Sequence, residues 1–246
     1  MMLAELPTTK LNATERVKME RMERVLSHFE QEAKEYDDII IRLIPDYELM
    51  VSILVDFVNQ DRQDHFSIVD LGCGTGTLSK AIAMRFPHAA ITCVDISEKM
   101  LQIAESKLCV DIATIHADFG QFVFPQKYDV IVSSLALHHL ETDDDKLSFY
   151  KKIYAALPAG GIFLNIDVVT AGNDRIQEKY MEHWKEFMIA NTSVDEVENK
   201  WLPNYHAEDR PTSLSTHFKL LEQSGFCQMD CVYKNYNYAV FLAEKS

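Results

Sequence analysis

The sequence predicts an α/β fold in which a doubly wound, parallel sheet carries helices on both of its faces. From residue 66 onward, short apolar runs alternate with segments of helical periodicity, which is typical of parallel strands joined by crossover helices. The first apolar run ends in Asp70 and leads into Gly72, Gly74 and Gly76. Three glycines at alternate positions favour a tight strand-to-helix turn, against which a nucleoside-bearing ligand can lie close to the backbone.

The length and composition of the chain favour one elaborated α/β domain. Its 246 residues are 47% hydrophobic, which is enough to bury one large core. The formal net charge of −14 repels phosphate backbones, so we expect a small-molecule partner rather than nucleic acid. No apolar stretch reaches the roughly 18 residues of a membrane span, and residues 1–14 lack the apolar core of a signal peptide. We therefore expect a cytoplasmic protein.

Residues 1–62 predict a helical cap that precedes the main domain. Met19, Met22, Leu26 and Phe29 recur at steps of three and four, which makes one apolar helix face. A helix packed on the main domain is the plain interpretation. A lid over the ligand or a homodimer contact are the alternatives, because an exposed apolar stripe must be covered by something. Pro45 interrupts this pattern, and a new helix is predicted from Tyr47 to about Asn59.

Residues 63–246 predict the main domain. The apolar runs are expected to form strands at 66–71, 90–95, 111–116, 128–134 and 160–168, with helices at 76–86, 97–107 and 143–157 between them. In such sheets ligands bind at the carboxyl ends of the strands, so the residues that follow each strand are the candidates for a site. Thr77 stands where a dinucleotide fingerprint needs its third glycine. The sequence therefore disfavours a nicotinamide cofactor.

Two acidic residues follow the next two predicted strands. Asp95 ends the second strand, where its carboxylate can accept both hydroxyls of a ribose; the alternative is a cap for the helix that begins near Ser97. Asp118 follows the third strand and can accept from an adenine amino group, with Phe119 as an apolar wall. A surface acid and a core aromatic residue explain that second pair nearly as well.

Further candidates follow the fourth and fifth strands. His138 and His139 have the pKa of a general base at neutral pH, while hydrogen bonds within their loop are the plain alternative. Residues 173–210 lie where a helical lid over a bound ligand would have to be, although an aromatic helix face of this kind is more often packing. The lid residues expected at the substrate are Trp184, Trp201, Tyr205 and Arg210.

The cysteines predict no metal site. Cys227 and Cys231 are four residues apart and lack a second pair nearby. A zinc site needs three or four converging ligands, so these thiols are expected to behave as small hydrophobic residues.

Together these segments resemble the successive motifs of class I S-adenosylmethionine-dependent methyltransferases. The motifs are residues 70–76, Asp95, Ala117-Asp118 and residues 157–161, and the match extends from about residue 66 to the C-terminus. The C-terminus fits with a helix near 212–224 and strands at 226–233 and 236–243, joined by a turn at 234–235. The resemblance implies a Rossmann-like, seven-stranded sheet with an antiparallel last strand, and S-adenosylmethionine as cofactor.

The resemblance also implies roles for individual residues. Gly72 and Gly74 would hold the methionyl part of the cofactor, Asp95 the ribose, and Asp118 with Phe119 the adenine, and Ser133 or Ser134 would lie near the sulfonium. The positions expected at the cofactor are Tyr36, Arg42, Asp70, Gly72, Cys73, Gly74, Gly76, Asp95, Ile96, Met100, Ala117, Asp118, Phe119 and Ser133.

The N-terminal segment carries a closer resemblance. Phe29, Ala33, Tyr36, Asp37, Arg42 and the run at 44–47 resemble carboxy-S-adenosylmethionine synthases and the methyltransferases grouped with them. Residues 198–201 are Glu-Asn-Lys-Trp in the region where the synthases carry an arginine, so we expect ordinary S-adenosylmethionine. Three interpretations stay open: a methyltransferase acting on a small molecule, an enzyme of transfer RNA wobble-uridine modification or of carboxylated-cofactor synthesis, and a non-catalytic cofactor-binding subunit.

Overall fold

One mixed sheet forms the centre of the molecule in the computed structural model, which describes residues 13–246; the first twelve residues of the predicted cap lie outside the described residues. The strands are β1 (Ser67–Leu71), β2 (Ala90–Asp95), β3 (Ala113–His116), β4 (Val130–Ser134), β5 (Ile162–Thr170), β6 (Thr212–Ser213), β7 (Gln228–Asn235) and β8 (Tyr238–Glu244). Their order is β3-β2-β1-β4-β5-β8-β7, and β6 pairs only with the end of β5. The predicted seven-stranded sheet is confirmed, with the two-residue β6 as an addition.

The pairing directions also agree with the prediction. Strands β1 to β5 pair in parallel, whereas β8 is antiparallel to both β5 and β7. The hairpin turn lies at residues 236–237 rather than at the predicted 234–235. Tyr236 adopts a left-handed backbone conformation there, with φ of 46°. The two-residue error arose because this turn has no glycine to mark it in the sequence.

The helices connect the strands and cover both faces of the sheet. They are α1 (Ala13–Glu32), α2 (Tyr36–Leu43), α3 (Tyr47–Asp56), α4 (Thr77–Arg85), α5 (Glu98–Lys107), α6 (Asp143–Ala156), α7 (Asp174–Asn191), α8 (Val194–Glu196), α9 (Leu202–Glu208) and α10 (Leu214–Ser224). A 3₁₀ turn at Leu137–His139 follows β4, and a π-helical turn at Val197–Trp201 joins α8 to α9. Helices α7 to α9 form the predicted insertion after β5.

Alternation along the strands creates two hydrophobic layers. Ile68, Val130 and Val132 belong to one buried cluster, which also contains residues of α2, α3, α4, α5 and α7. Val69 and Ile131 belong to the other cluster, with residues of α6 and α10. Neighbouring residues of a strand point to opposite faces, so these apolar strands are buried on both sides, as expected of a doubly wound sheet. No helix within residues 13–246 is both long and apolar enough to cross a membrane.

Candidate active site

The glycine turn after β1 forms one wall of a large cavity. The amide nitrogens of Gly72 and Cys73 both donate to the carbonyl of Val94 on β2, at 2.8 and 3.0 Å. Gly72 has a φ of 69°, and a Cβ added to it would lie 2.3 Å from Cβ of Ala136. Both the left-handed conformation and the close approach of the loop after β4 therefore require glycine at this position.

The cavity has a volume of about 420 Å³ and lies at the carboxyl ends of β1, β2, β3 and β4. A volume of this size is typical of a small-molecule or cofactor site. Several of the residues predicted at the cofactor line it, namely Tyr36, Gly72, Gly74, Asp95, Ile96, Met100, Ala117, Asp118 and Phe119.

Asp95 is the best-placed acid in this cavity. One of its carboxylate oxygens accepts from the amide of Gly74 and the other from the amide of Ser97, each at 2.8 Å. Burial raises the pKa of Asp95, although these amide hydrogen bonds oppose the shift. Ser97 itself caps α5 by accepting from the amide of Met100. The side chain of Asp95 thus joins the glycine turn to α5 while it also faces the cavity.

Other predicted cofactor positions do not line this cavity. Asp70 is fully buried beneath the turn, where it accepts from the hydroxyl of Ser79 at 2.7 Å. Ser133 also points away and donates to the carbonyl of Leu71, whereas its neighbour Ser134 lines the cavity because adjacent strand residues face opposite sides. Arg42 is exposed on α2 and donates to the carbonyl of Asp38 at 3.1 Å.

Cys73 and Gly76 are likewise absent from the cavity walls in the described part of the chain. Cys73 is buried and contacts the carbonyl of Gly74 with its thiol at 3.5 Å. Gly76 precedes α4 and lies against Leu108 and Ala104, where a Cβ would come within 2.9 Å of both. Both residues shape the turn from behind rather than facing its ligand side.

Helix α1 covers this larger cavity with Lys18, Met19, Met22, Val25 and Phe29. The predicted apolar face of this helix therefore packs on its own chain, next to the ligand space.

Arg21 fixes the position of α1 over this cavity. Its buried guanidinium donates to a carboxylate oxygen of Glu141 at 2.5 Å, to the carbonyl of His139 at 2.6 Å, and to the carbonyl of Glu208. It therefore ties α1 to the loop after β4 and to the end of α9. No local pattern in the sequence predicts this role of Arg21, because its partners are 118 to 187 residues away along the chain.

A second, smaller cavity of about 120 Å³ adjoins the first one. Phe29, Tyr36, Leu135 and His139 line both cavities. The predicted substrate residues Trp184, Trp201 and Tyr205 line the second cavity, which the insertion covers. Trp184 also donates from its indole nitrogen to the carbonyl of Leu43 at 2.7 Å, so it both packs the insertion onto α2 and faces the cavity.

Arg210, in contrast, lines neither cavity. Its guanidinium donates to Glu141 at 3.2 Å and to the carbonyl of Asp209 at 2.7 Å. The prediction that Arg210 faces an acceptor is therefore not supported by its position, since Glu141 occupies its charge outside the second cavity.

Two histidines, the buried Asp167 and the partly exposed Asp209 form a cluster beside the second cavity. Nδ1 of His138 lies 2.6 Å from Asp167, and its Nε2 lies 3.6 Å from Asp209. Burial lowers the pKa of His138, but the charges of Asp209 and Asp167 outweigh burial and raise it. Burial and the neighbouring His138 hold the pKa of His139 well below its usual value. Burial also raises the pKa of Asp209 to about 6.

His28 connects α1 to the insertion on the other side of this cavity. Its two ring nitrogens lie 2.8 Å from Glu208 and 3.0 Å from Glu32. Burial opposes the charged imidazolium, but the hydrogen bonds to Glu208 and Glu32 outweigh it and raise the pKa of His28 to about 9. His28 is therefore protonated at neutral pH, and the sequence pattern of α1 gave no sign of this role.

Comparisons with known proteins agree with this geometry. A family model described as a methyltransferase domain matches residues 68–161. A malonyl-(acyl-carrier protein) O-methyltransferase from Priestia megaterium is 31% identical over 61% of this chain, which spans 52% of that relative. A carboxy-S-adenosyl-L-methionine synthase from Nautilia profundicola is 24% identical over 91% of this chain and 96% of its own length.

Solved structures support the same fold. An O-methyltransferase family protein from Burkholderia thailandensis superposes with a TM-score of 0.66 and 14% identity, covering 91% of this chain and 62% of its own. The DhpI–SAM–HEP complex gives a TM-score of 0.65 with 16% identity, covering 91% of this chain and 97% of its own.

The fold, the glycine turn and the sequence similarity are those of a class I S-adenosylmethionine-dependent methyltransferase, and the matched methyltransferase domain covers residues 68–161 of this chain. Its cofactor is S-adenosylmethionine. Within the family, the chain is similar along almost its whole length to carboxy-S-adenosyl-L-methionine synthases.

Proposed function

We propose that this methyltransferase transfers its methyl group to a small-molecule acceptor bound in the second cavity. One observation carries the proposal: the larger cavity, which is the proposed cofactor site, adjoins a smaller cavity, and Phe29, Tyr36, Leu135 and His139 line both. Methyl transfer from a sulfonium is an in-line displacement, so most of its rate comes from alignment of the acceptor in a water-poor site. A pocket beside the cofactor, bordered by α1 and by the insertion, can hold an acceptor in line for that displacement.

The proposed roles of the cofactor residues follow from their positions. The amides of the glycine turn bind the methionyl part, Asp95 binds the ribose hydroxyls, and Asp118 with Phe119 binds the adenine. His138 and His139 are the proposed groups for moving an acceptor proton, and His139 is favoured because it lines both cavities.

A carboxy-S-adenosylmethionine synthase is the second candidate, favoured by the similarity to such enzymes over 91% of the chain. The charges argue against it. Among the described residues that line the second cavity there is no lysine or arginine, whereas Glu32, Glu208 and Asp209 line it. Arg42 and Arg210, the two basic candidates from the sequence, point elsewhere. A carboxylated cofactor would find no basic side chain to pair with there.

Two measurements test this proposal. Mass spectrometry of the nucleoside retained through purification distinguishes S-adenosylmethionine from its carboxylated form. Labelled methyl transfer to a pool of small metabolites, and separately to transfer RNA, then identifies the acceptor class. Labelled RNA would contradict the small-molecule proposal, and cofactor binding without any labelled product would favour a non-catalytic subunit.

A pair of variants tests the second cavity itself. Tyr205→Ala removes a wall of that cavity and is expected to raise the KM for the acceptor while leaving the Kd for S-adenosylmethionine unchanged. Tyr236→Ala, at an exposed tyrosine outside both cavities, is the matched control. If neither variant changes the KM for the acceptor, the acceptor does not bind in the second cavity.

The cellular setting is also a proposal. A cytoplasmic location is supported by the five free cysteines among the described residues, which suit a reducing compartment. We also propose that the outer surface of α1 forms a homodimer contact through the N-terminal helices. Val17, which is 64% exposed on this surface, supports the proposal. Light scattering of the purified chain distinguishes monomer from dimer.

A further inference from the structure

Three side chains that can ligate a metal ion converge where the two cavities meet. Oδ1 of Asp209 lies 3.6 Å from Nε2 of His138 and 3.5 Å from Nδ1 of His139, and the three ligand atoms lie within 4.8 Å of one another. Ligand atoms around a tetrahedral zinc ion are separated by about 3.4 Å. We propose that His138, His139 and Asp209 bind one divalent transition-metal ion beside the second cavity.

The surroundings of His138 support this assignment. Its Nδ1 is paired at 2.6 Å with Asp167, whose buried carboxylate also accepts from the amide of Val168 at 3.0 Å and from Asn165 at 3.2 Å. A carboxylate on Nδ1 keeps the proton on that nitrogen and leaves the lone pair of Nε2 free. Carboxylate–histidine pairs of this kind typically orient a metal-ligating imidazole.

Nε2 of His138 lies 3.6 Å from Oδ1 of Asp209. A neutral imidazole lone pair and a carboxylate oxygen repel each other unless a cation or a proton lies between them. The metal ion would be that cation. Two histidines and one carboxylate suit Zn²⁺ or Fe²⁺, and they leave further coordination positions open.

The open positions would be useful to the proposed reaction. The only cationic residue among the described lining of the second cavity is His28, and it is already paired with Glu32 and Glu208. A metal ion would therefore supply the positive charge that holds an acceptor oxygen near the cofactor. This role rests on the proposed function, and it makes the two histidines ligands rather than proton acceptors. Metal binding itself does not depend on the proposed function.

The competing arrangement is a network without any metal ion. His138 would then be an imidazolium between Asp167 and Asp209, and Nδ1 of His139 would donate toward the carbonyl of Glu208 at 3.5 Å. The two arrangements differ in one measurable property, since only the first binds a divalent ion stoichiometrically.

The test uses the full chain after treatment with a chelator, in the absence of S-adenosylmethionine and acceptor. Zn²⁺ is titrated by calorimetry, and Co²⁺ by its visible absorption, which reports the coordination number and geometry of the bound ion. We expect one ion per chain. Asp209→Asn should lower the affinity at least about 100-fold, and Asp167→Asn, which keeps all three ligands, should lower it about 10- to 100-fold.

Two controls exclude binding elsewhere. Asp195→Asn changes an exposed carboxylate of α8 in the same insertion. His88→Asn removes one member of an exposed imidazole pair, His65 and His88, whose rings stack 4.9 Å apart and can take up metal adventitiously. Both variants should leave the stoichiometry and the affinity unchanged.

Three results would overturn the proposal. They are the absence of stoichiometric binding by the wild-type chain, binding that Asp209→Asn and Asp167→Asn leave unchanged, and binding that His88→Asn abolishes. Circular dichroism checks the fold of each variant, and Asp167→Asn decides the question if Asp209→Asn does not fold. Separate calorimetry with S-adenosylmethionine distinguishes failure of the metal site from failure of the proposed methyl transfer.

Discussion

The imidazole of His28 should make the stability of this protein depend on pH in an unusual direction. We consider the substitution His28→Gln, which keeps a polar side chain but removes the titrating group between α1 and the insertion. In the folded chain His28 bridges Glu32 and Glu208, and only 18% of its side chain is exposed. These contacts raise its pKa from 6.5 to about 9.

The size of the effect follows from that difference in pKa. At 1.36 kcal/mol per pH unit, a folded pKa of about 9 against 6.5 corresponds to about 3 kcal/mol. The sign follows from linkage. The folded state binds the proton more tightly than the unfolded chain, so the stabilisation is fully present below pH 6.5 and is lost as the pH rises through about 9.

The assay is urea unfolding of the wild type and the variant at about pH 6 and about pH 10. The difference between their free energies of unfolding should shrink by about 3 kcal/mol from the lower pH to the higher one. The matched control is His206→Gln, at an exposed histidine of the same α9 that carries Glu208. It should show no such pH dependence. A constant difference between wild type and His28→Gln would refute the reasoning, because it would mean that folding does not raise the pKa of His28.

Three further predictions concern the cofactor cavity. Gly72→Ala should lower the free energy of unfolding, measured in urea, by about 1–3 kcal/mol, because the added Cβ would overlap the loop after β4. The control is Gly172→Ala, where an added Cβ meets nothing within 4 Å. An equal decrease in the free energy of unfolding for both variants would contradict this prediction. Asp95→Asn should weaken S-adenosylmethionine binding about 10- to 100-fold in calorimetry, as expected for loss of a charged hydrogen-bond acceptor, and an unchanged Kd would remove Asp95 from the ribose site. Arg21→Ala should raise the Kd for S-adenosylmethionine at least about tenfold by loosening α1. Arg24→Ala, at an exposed arginine of the same helix, should leave that Kd unchanged. Equal effects of the two variants would show that the contacts of Arg21 do not contribute to cofactor binding.

Much of the fold could be predicted from local patterns. The alternation of apolar runs with helical segments gave the five parallel strands and the helices between them, because each element buries its own apolar face. The hairpin at the end of the chain was placed two residues too early, because Tyr236 adopts a left-handed conformation without a glycine to signal it.

The lining of the larger cavity was predicted where it depends on the ends of strands. Gly72, Gly74, Asp95 and Asp118 line the cavity, since parallel strands bring their carboxyl ends to one edge. The prediction was weakest where one position along a strand decides the direction of a side chain. Ser134 rather than Ser133 faces the cavity for that reason.

The sequence by itself determined the class of fold, the glycine turn and the family of the cofactor, because these depend on periodicity and on short motifs. Only the tertiary structure brought Arg21 to Glu208, and Asp209 to His138 and His139. Such contacts join charged groups from distant parts of the chain, and a local pattern records the charge of each group but not its partner. The short motifs of the sequence therefore indicate the cofactor, whereas the walls of the second cavity arise from packing of α1 and the insertion around the loop after β4.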